Sequence, residues 1–158
     1  MRPIAGTGLR RAIAGLAAAL VLSAAAAGFA AASQIAMVKT VSGQAVILRD
    51  GARLPAKVGD AVLEKDTLET GPDGAIGITF TDNTVMSAGP SSLLALEQYQ
   101  FDSSNFNGKM VADMRKGTLA VVSGDIARSS ADAMKIRTPT AILGVRGTRF
   151  TVQVGGGP

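Results

Sequence analysis

Three features predict an all-β fold. Turn-forming residues recur every several positions and leave few helical windows between them. Short runs alternate apolar and polar residues, most cleanly at Ile76, Ile78 and Phe80 against Gly77, Thr79 and Thr81. After Gly147 a two-periodic tail sets Thr148, Phe150, Val152 and Val154 against Arg149, Thr151 and Gln153. The expected architecture is a compact β-sandwich or roll, or a short β-solenoid, built of many short strands behind an amino-terminal signal-peptide helix. Inward positions rich in Ala, Val, Leu and Ile suit thin, closely stacked sheets better than a wide barrel. No repeat of fixed length supports a long solenoid.

Taken in order, Ile35 to Val41 and Gly43 to Arg49 read as the first strands, and Asp50-Gly51 as a tight hairpin because both positions tolerate positive φ. Pro55 and Gly59 keep the next segment from being a central strand. Ala61 to Thr70 is extended and ends at the turn Gly71-Pro-Asp-Gly74. Ala75 to Thr81 and Thr84 to Ser87 form a hairpin about Asp82-Asn83. Leu93 to Phe101 is a further strand, followed by the polar loop Asp102 to Gly108. Met110 to Arg115 is then broken at Lys116-Gly117 from the β-branched run Thr118 to Val122. Ser123 to Ala133 holds room for one short helix, and Met134 to Arg137 leads into the last segment.

The first 32 residues have the layout of a bacterial secretory signal. Arg2, Arg10 and Arg11 precede an Ala-rich apolar stretch from Ala12 to Phe29, and Ala30-Ala31-Ala32 offers small residues for cleavage before Ser33. Retention as an anchor is the alternative, because the stretch approaches the roughly 20 residues that cross a bilayer. The expected organisation is 1–32 signal, 33–154 one β domain, and 155–158 a flexible tail or truncation point. Three of the 16 Lys/Arg and none of the 12 Asp/Glu fall in the signal, so the formal charge of +4 drops to +1 without it. The remaining charges are read as interleaved, predicting no basic patch. With one Tyr and no Trp, nucleic-acid binding has little support.

The most informative run is Thr138-Pro-Thr-Ala-Ile-Leu-Gly-Val-Arg-Gly-Thr-Arg-Phe150. Pro139 holds Thr138 extended and cannot donate to a ladder. Gly144 and Gly147 permit backbone conformations or close approaches that a Cβ would block. The whole run reads as an entry into the final strand. The pattern T-P-T-A-x-x-G-x-R-G-T-x-F resembles the signature of the FecR domain family. Earlier pieces agree in order: Gly43 to Gly51, Val58-Gly-Asp60, Leu63 to Gly71, Gly74 to Asp82 and Gly117. The resemblance covers about Val41 to Val154 and implies an all-β, extracytoplasmic module. It also marks Thr138, Pro139, Thr140, Gly144, Arg146, Gly147, Thr148 and Phe150 as structural or partner-binding residues. Relatives that regulate sigma factors carry a cytoplasmic amino-terminal domain. Only eleven residues precede the apolar stretch here, so the expectation is a FecR domain without that anti-sigma part.

Histidine and cysteine are both absent, which removes Ser-His-Asp and Cys-His nucleophiles and the usual zinc ligand sets. Glu64, Asp66, Glu69 and Glu97 are the carboxylates available for glycan hydrolysis, and solvated edges or turn caps explain them more simply. Asp60, Asp66, Asp73 and Asp82 lack calcium-loop spacing and read as turn caps. Ser129, Ser130 and Lys135 lack the setting of a Ser–Lys nucleophile. For Arg146 the favoured reading is structural, a guanidinium fork tying carbonyls or a carboxylate such as Asp60 or Asp66 across strands, with partner binding as the alternative.

No catalytic, cofactor or metal site is expected. The function expected is that of a non-enzymatic periplasmic or envelope module that binds a partner or relays a signal. A protein or an envelope polymer would be the partner, met through an exposed strand edge. The alternatives are a membrane-tethered sensor with an uncleaved anchor, and a carboxylate-based hydrolase acting on envelope glycan.

Overall fold

A computed structural model describes residues 32–155. The expected signal segment lies outside these residues apart from Ala32, as does the expected tail apart from Gly155. The strands are β1 (Gln34–Ser42), β2 (Ala45–Arg49), β3 (Ala52–Pro55), β4 (Ala61–Leu63), β5 (Thr67–Thr70), β6 (Ala75–Phe80), β7 (Val85–Ala88), β8 (Leu93–Asp102) and β9 (Asn107–Val122). A short helix, α1 (Asp125–Ser129), leads to β10 (Met134–Arg137), β11 (Ile142–Val145) and β12 (Arg149–Val154). The all-β expectation holds: the chain forms a curled, almost wholly antiparallel sheet of twelve strands.

β9 is the seam of the sheet. Its first half lies between β8 and β10, giving the order β3-β2-β5-β8-β9-β10-β11. Its second half lies between β7 and β12, giving β4-β1-β6-β7-β9-β12. Among the described residues only the β9–β10 pair is parallel. β7 and β8 follow one another along a single edge of β9, because their link hugs Thr118. Gly89 N–H donates to Thr118 O at 2.9 Å, and Thr118 N–H donates to Ser92 Oγ at 3.0 Å. β10 and β12 therefore share the opposite edge.

The break expected at Lys116-Gly117 is absent; one strand runs through it. The reason is a bulge. Leu94 pairs with Met114 and Leu93 with Lys116, so Arg115 is an extra residue. An extra residue flips the side-chain parity. Met110, Ala112 and Met114 point inward before the bulge, and Leu119 and Val121 after it. Gly117 takes φ +91°, and a Cβ there would collide with Ser92, so glycine is required at this bend.

The turns follow the local chemistry. Asp50 and Gly51 have φ of 49° and 81°, and Asn83 has 66°. Ala61 to Thr70 is not one run, because Lys65 adopts φ 72° and a turn at Glu64–Asp66 splits it into β4 and β5. The core between the two arms joins Ile, Val and Leu from every long strand with four buried methionines, Met86, Met110, Met114 and Met134. The unbranched thioethers fill irregular gaps where the strands change direction.

Two buried polar nodes fasten this frame. The Asp82 carboxylate, 0% exposed, accepts from Thr84 Oγ1 at 2.7 Å, Thr84 N–H at 3.2 Å and Ile126 N–H at 3.2 Å. Its backbone C=O accepts Asp125 N–H at 2.8 Å, so the β6–β7 turn anchors the start of α1. Tyr99 stacks on Phe80 with ring centroids 5.3 Å apart, and its hydroxyl lies 2.7 Å from Thr81 Oγ1 and 3.3 Å from Asp82 Oδ1. Burial, reinforced by the Asp82 charge, pushes the Tyr99 phenol up to about 12. At the second node, Asp66 is 1% exposed and is held in a fork by Arg49, Nε to Oδ1 at 2.8 Å and Nη2 to Oδ2 at 2.6 Å. Leu63 N–H completes its shell at 2.8 Å.

Candidate docking site at the carboxy-terminal hairpin

The run 138–150 does more than enter a strand. It builds a hairpin, a loop and then a strand, each set by a few residues. Thr138 closes a tight turn: its N–H donates to Ala141 O at 2.8 Å, and its Oγ1 accepts Ala141 N–H at 3.0 Å. Pro139 and Thr140 form the exposed tip. β11 then returns along β10 with Ile142 opposite Arg137 and Gly144 opposite Lys135. Gly144 runs close under the Ala131 carbonyl, where a Cβ would come within 3.3 Å. Gly147, at φ +53°, turns the chain out of β11. Thr148 is pinned to the end of β9, its N–H donating to Ser123 Oγ at 2.7 Å and its C=O accepting from Ser123 Oγ at 2.9 Å. Phe150 packs half-buried against the core, and Val152 is buried. β12 pairs along its whole length with β9, so Val152 and Val154 have a partner strand within the domain.

Arg146 does not make the expected tie. Its side chain is exposed and has no hydrogen bond or ion pair among the described residues. Both candidate carboxylates are engaged elsewhere: Asp66 by Arg49, and Asp60 by the Lys57 N–H at 2.8 Å. The Arg49–Asp66 pair joins β2 to the β4–β5 turn, across a separation in sequence that spacing does not reveal.

The interleaving of charge also fails in this region. From Met134 to Gly155 the chain carries Lys135, Arg137, Arg146 and Arg149 and no acidic residue. Lys135 lies 3.6 Å from Asp132; the three arginines have no ion pair among the described residues. Arg137 Nε is buried without a hydrogen-bond partner. The signal was countable in the sequence and is hidden by the near balance of residues 33–158 as a whole. Between β10, which pairs with β9 up to Asp113, and β12, which pairs with β9 from Gly117 onward, residues 114–116 of β9 have no strand on that edge. A groove of about 780 Å³ opens there, with Leu143, Pro139, Val152 and Val154 as apolar lining and Arg115 and Lys116 as basic flank.

The other candidates separate. Glu64 and Glu97 line one shallow, open depression of about 300 Å³ beside Lys65, Gln98, Val111 and Arg137. Glu97 is drawn to Arg115 at 3.6 Å and Lys65 at 3.9 Å, an ion-pair cluster on a solvated face. Asp66 is buried away with Arg49, and Glu69 pairs with Arg53 at 3.0 Å. Asp60, Asp66, Asp73 and Asp82 occupy different turns, and among the described residues no group of three or more carboxylates is placed to hold a metal ion. Ser129 Oγ donates to the Ile126 carbonyl at 2.8 Å, and Lys135 turns to Asp132, so no Ser–Lys pair forms.

Residues 66–158 match the family described as FecR protein, and this region contains every signature residue named above. The chain belongs to the FecR family. FecR domains occur in signal-transduction regulators and are usually periplasmic parts of envelope proteins. No curated protein and no solved structure matches the chain. Among the described residues of this FecR protein, no helix is long and apolar enough to cross a membrane.

Proposed function

We propose that this FecR protein is a non-enzymatic binding or signal-relay module of the bacterial periplasm or envelope, engaging a macromolecular partner through its carboxy-terminal hairpin. One observation carries the reading. The signature residues do not converge on a pocket of reactive groups. They build an outlying hairpin whose last strand, β11, pairs on one edge only, with Ile142 67% exposed. A sheet edge of this kind is a surface for partner contact. The missing histidine and cysteine narrow the available chemistry further.

Site-specific photo-crosslinking in the native cell tests the reading. A crosslinking residue at position 142 is expected to capture a defined envelope component, and one at exposed Leu54 on β3 is not. Equal capture from both positions, or none from 142, removes the hairpin as the docking surface. The location is tested by sequencing the mature protein: a product starting near Ser33 in the periplasmic fraction supports an exported module. A membrane-bound product that keeps its first 32 residues supports the tethered sensor.

A further inference from the structure

Resting on that docking role, we infer that the open edge of β11 receives an acidic, extended segment of a partner polypeptide as an added strand. The backbone supplies the first argument. Thr138 and Ala141 are a hydrogen-bonded pair that closes the turn. Antiparallel alternation then directs Leu143 and Val145 toward β10, and turns the N–H and C=O of Ile142 and Gly144 toward the free edge. Neither residue has a backbone partner outside the ladder among the described residues. Of the other lateral edges, β3 carries Arg53 and Pro55, β4 is three residues long, and β12, which also pairs on one edge only, begins with the charged Arg149. β11 reads Ile-Leu-Gly-Val, with neither charge nor proline.

Charge supplies the second argument and selects the occupant. On β10, Lys135 and Arg137 stand in register with Gly144 and Ile142, so they share the same face beside the open edge. Arg146 follows β11 directly, and Arg149 begins the next strand. Arg137 stands in register with Asp113 of β9 and shares a depression with Glu64 and Glu97 without forming an ion pair, its Nε lacks any acceptor, and Arg146 and Arg149 form no ion pair among the described residues. A second copy of this chain would bring two such basic hairpins edge to edge, with like charges opposed. An acidic strand meets both requirements: ladder partners for Ile142 and Gly144, and carboxylates for Arg146 and Arg149.

The test uses the full exported protein and two fluorescent octapeptides, one alternating valine with glutamate and one alternating valine with lysine. The acidic peptide is expected to bind and to slow amide hydrogen exchange at Ile142 and Gly144; the lysine peptide is not. Ile142→Pro removes one free-edge donor while sparing the β10 ladder, and is expected to weaken binding about tenfold or more. Ile142→Val retains the donor and is expected to bind normally. The double variant R146E/R149E keeps the edge and is expected to lose roughly five- to tenfold. Equal binding of both peptides, binding by polyglutamate without exchange protection, or a dimer through β11 would each overturn the inference. Cross-links from position 142 combined with failure of the acidic peptide would overturn it while leaving the docking role in place. Absence of those cross-links removes the docking role itself.

Discussion

The Asp82 turn and the Arg146 loop are both short polar connections between strands, and they have opposite fates. Asp82 is buried, and four protein donors, Thr84 Oγ1, Thr84 N–H, Ile126 N–H and the Tyr99 hydroxyl, reach its carboxylate at distances between 2.7 and 3.3 Å. Arg146 lies in the open, with no carboxylate among the described residues. In a low-dielectric interior a charged group persists only when its valences are met, so Asp82 serves the fold. An exposed guanidinium has no such requirement and is available to a partner. The molecule thus divides into a frame whose polar atoms are engaged internally and a hairpin whose cations are not.

Asp82→Ala challenges the frame most severely. It strands Thr84 Oγ1 and the Ile126 N–H, and is expected to cost about 3 kcal/mol, read as a lower urea midpoint. A loss below ~1 kcal/mol would mean that the buried network is not what ties the β6–β7 turn to α1. Arg49→Ala is next, leaving Asp66 with Leu63 N–H but no cation, for an expected loss of about 2 kcal/mol. Arg49→Lys should recover only part of it, because an ammonium cannot reproduce the fork.

A smaller effect is expected at alkaline pH. The Tyr99 phenol is raised from 10.0 to about 12 in the folded protein, so the folded state holds its proton where the unfolded chain has released it. The stabilisation is complete below pH 10 and fades as pH rises through about 12. Thermal melts across this window should therefore decline, and Tyr99→Phe should flatten the decline. Arg146→Ala comes last, with an expected change in stability within about 0.5 kcal/mol and an accompanying loss of partner capture. If its melting temperature falls as far as that of Arg49→Ala, the division between frame and hairpin is wrong.

Much of the frame was readable residue by residue. Asp50-Gly51 and Asp82-Asn83 turn where their chemistry tolerates positive φ, and Ile76, Ile78 and Phe80 are buried as their alternation requires. Thr138 to Phe150 marked the region now proposed for docking. What escaped was non-local. A bulge at Arg115 carries β9 across a Gly that looked like a terminus, because the clash with Ser92 that demands glycine involves a residue 25 positions away. Arg49 takes Asp66 from 17 positions away, so the expected Arg146 partner was already occupied.

Neighbouring residues alone settled the β class, the turns at Asp50-Gly51, Gly71–Gly74 and Asp82-Asn83, and the inward face of β6, since φ preference and two-residue periodicity act over a few bonds. Which edge stays open, which carboxylate meets which arginine, and how one long strand serves both arms of the sheet were decided by folding. Those outcomes depend on distances between segments remote in the chain, and only the closed, packed sheet sets them.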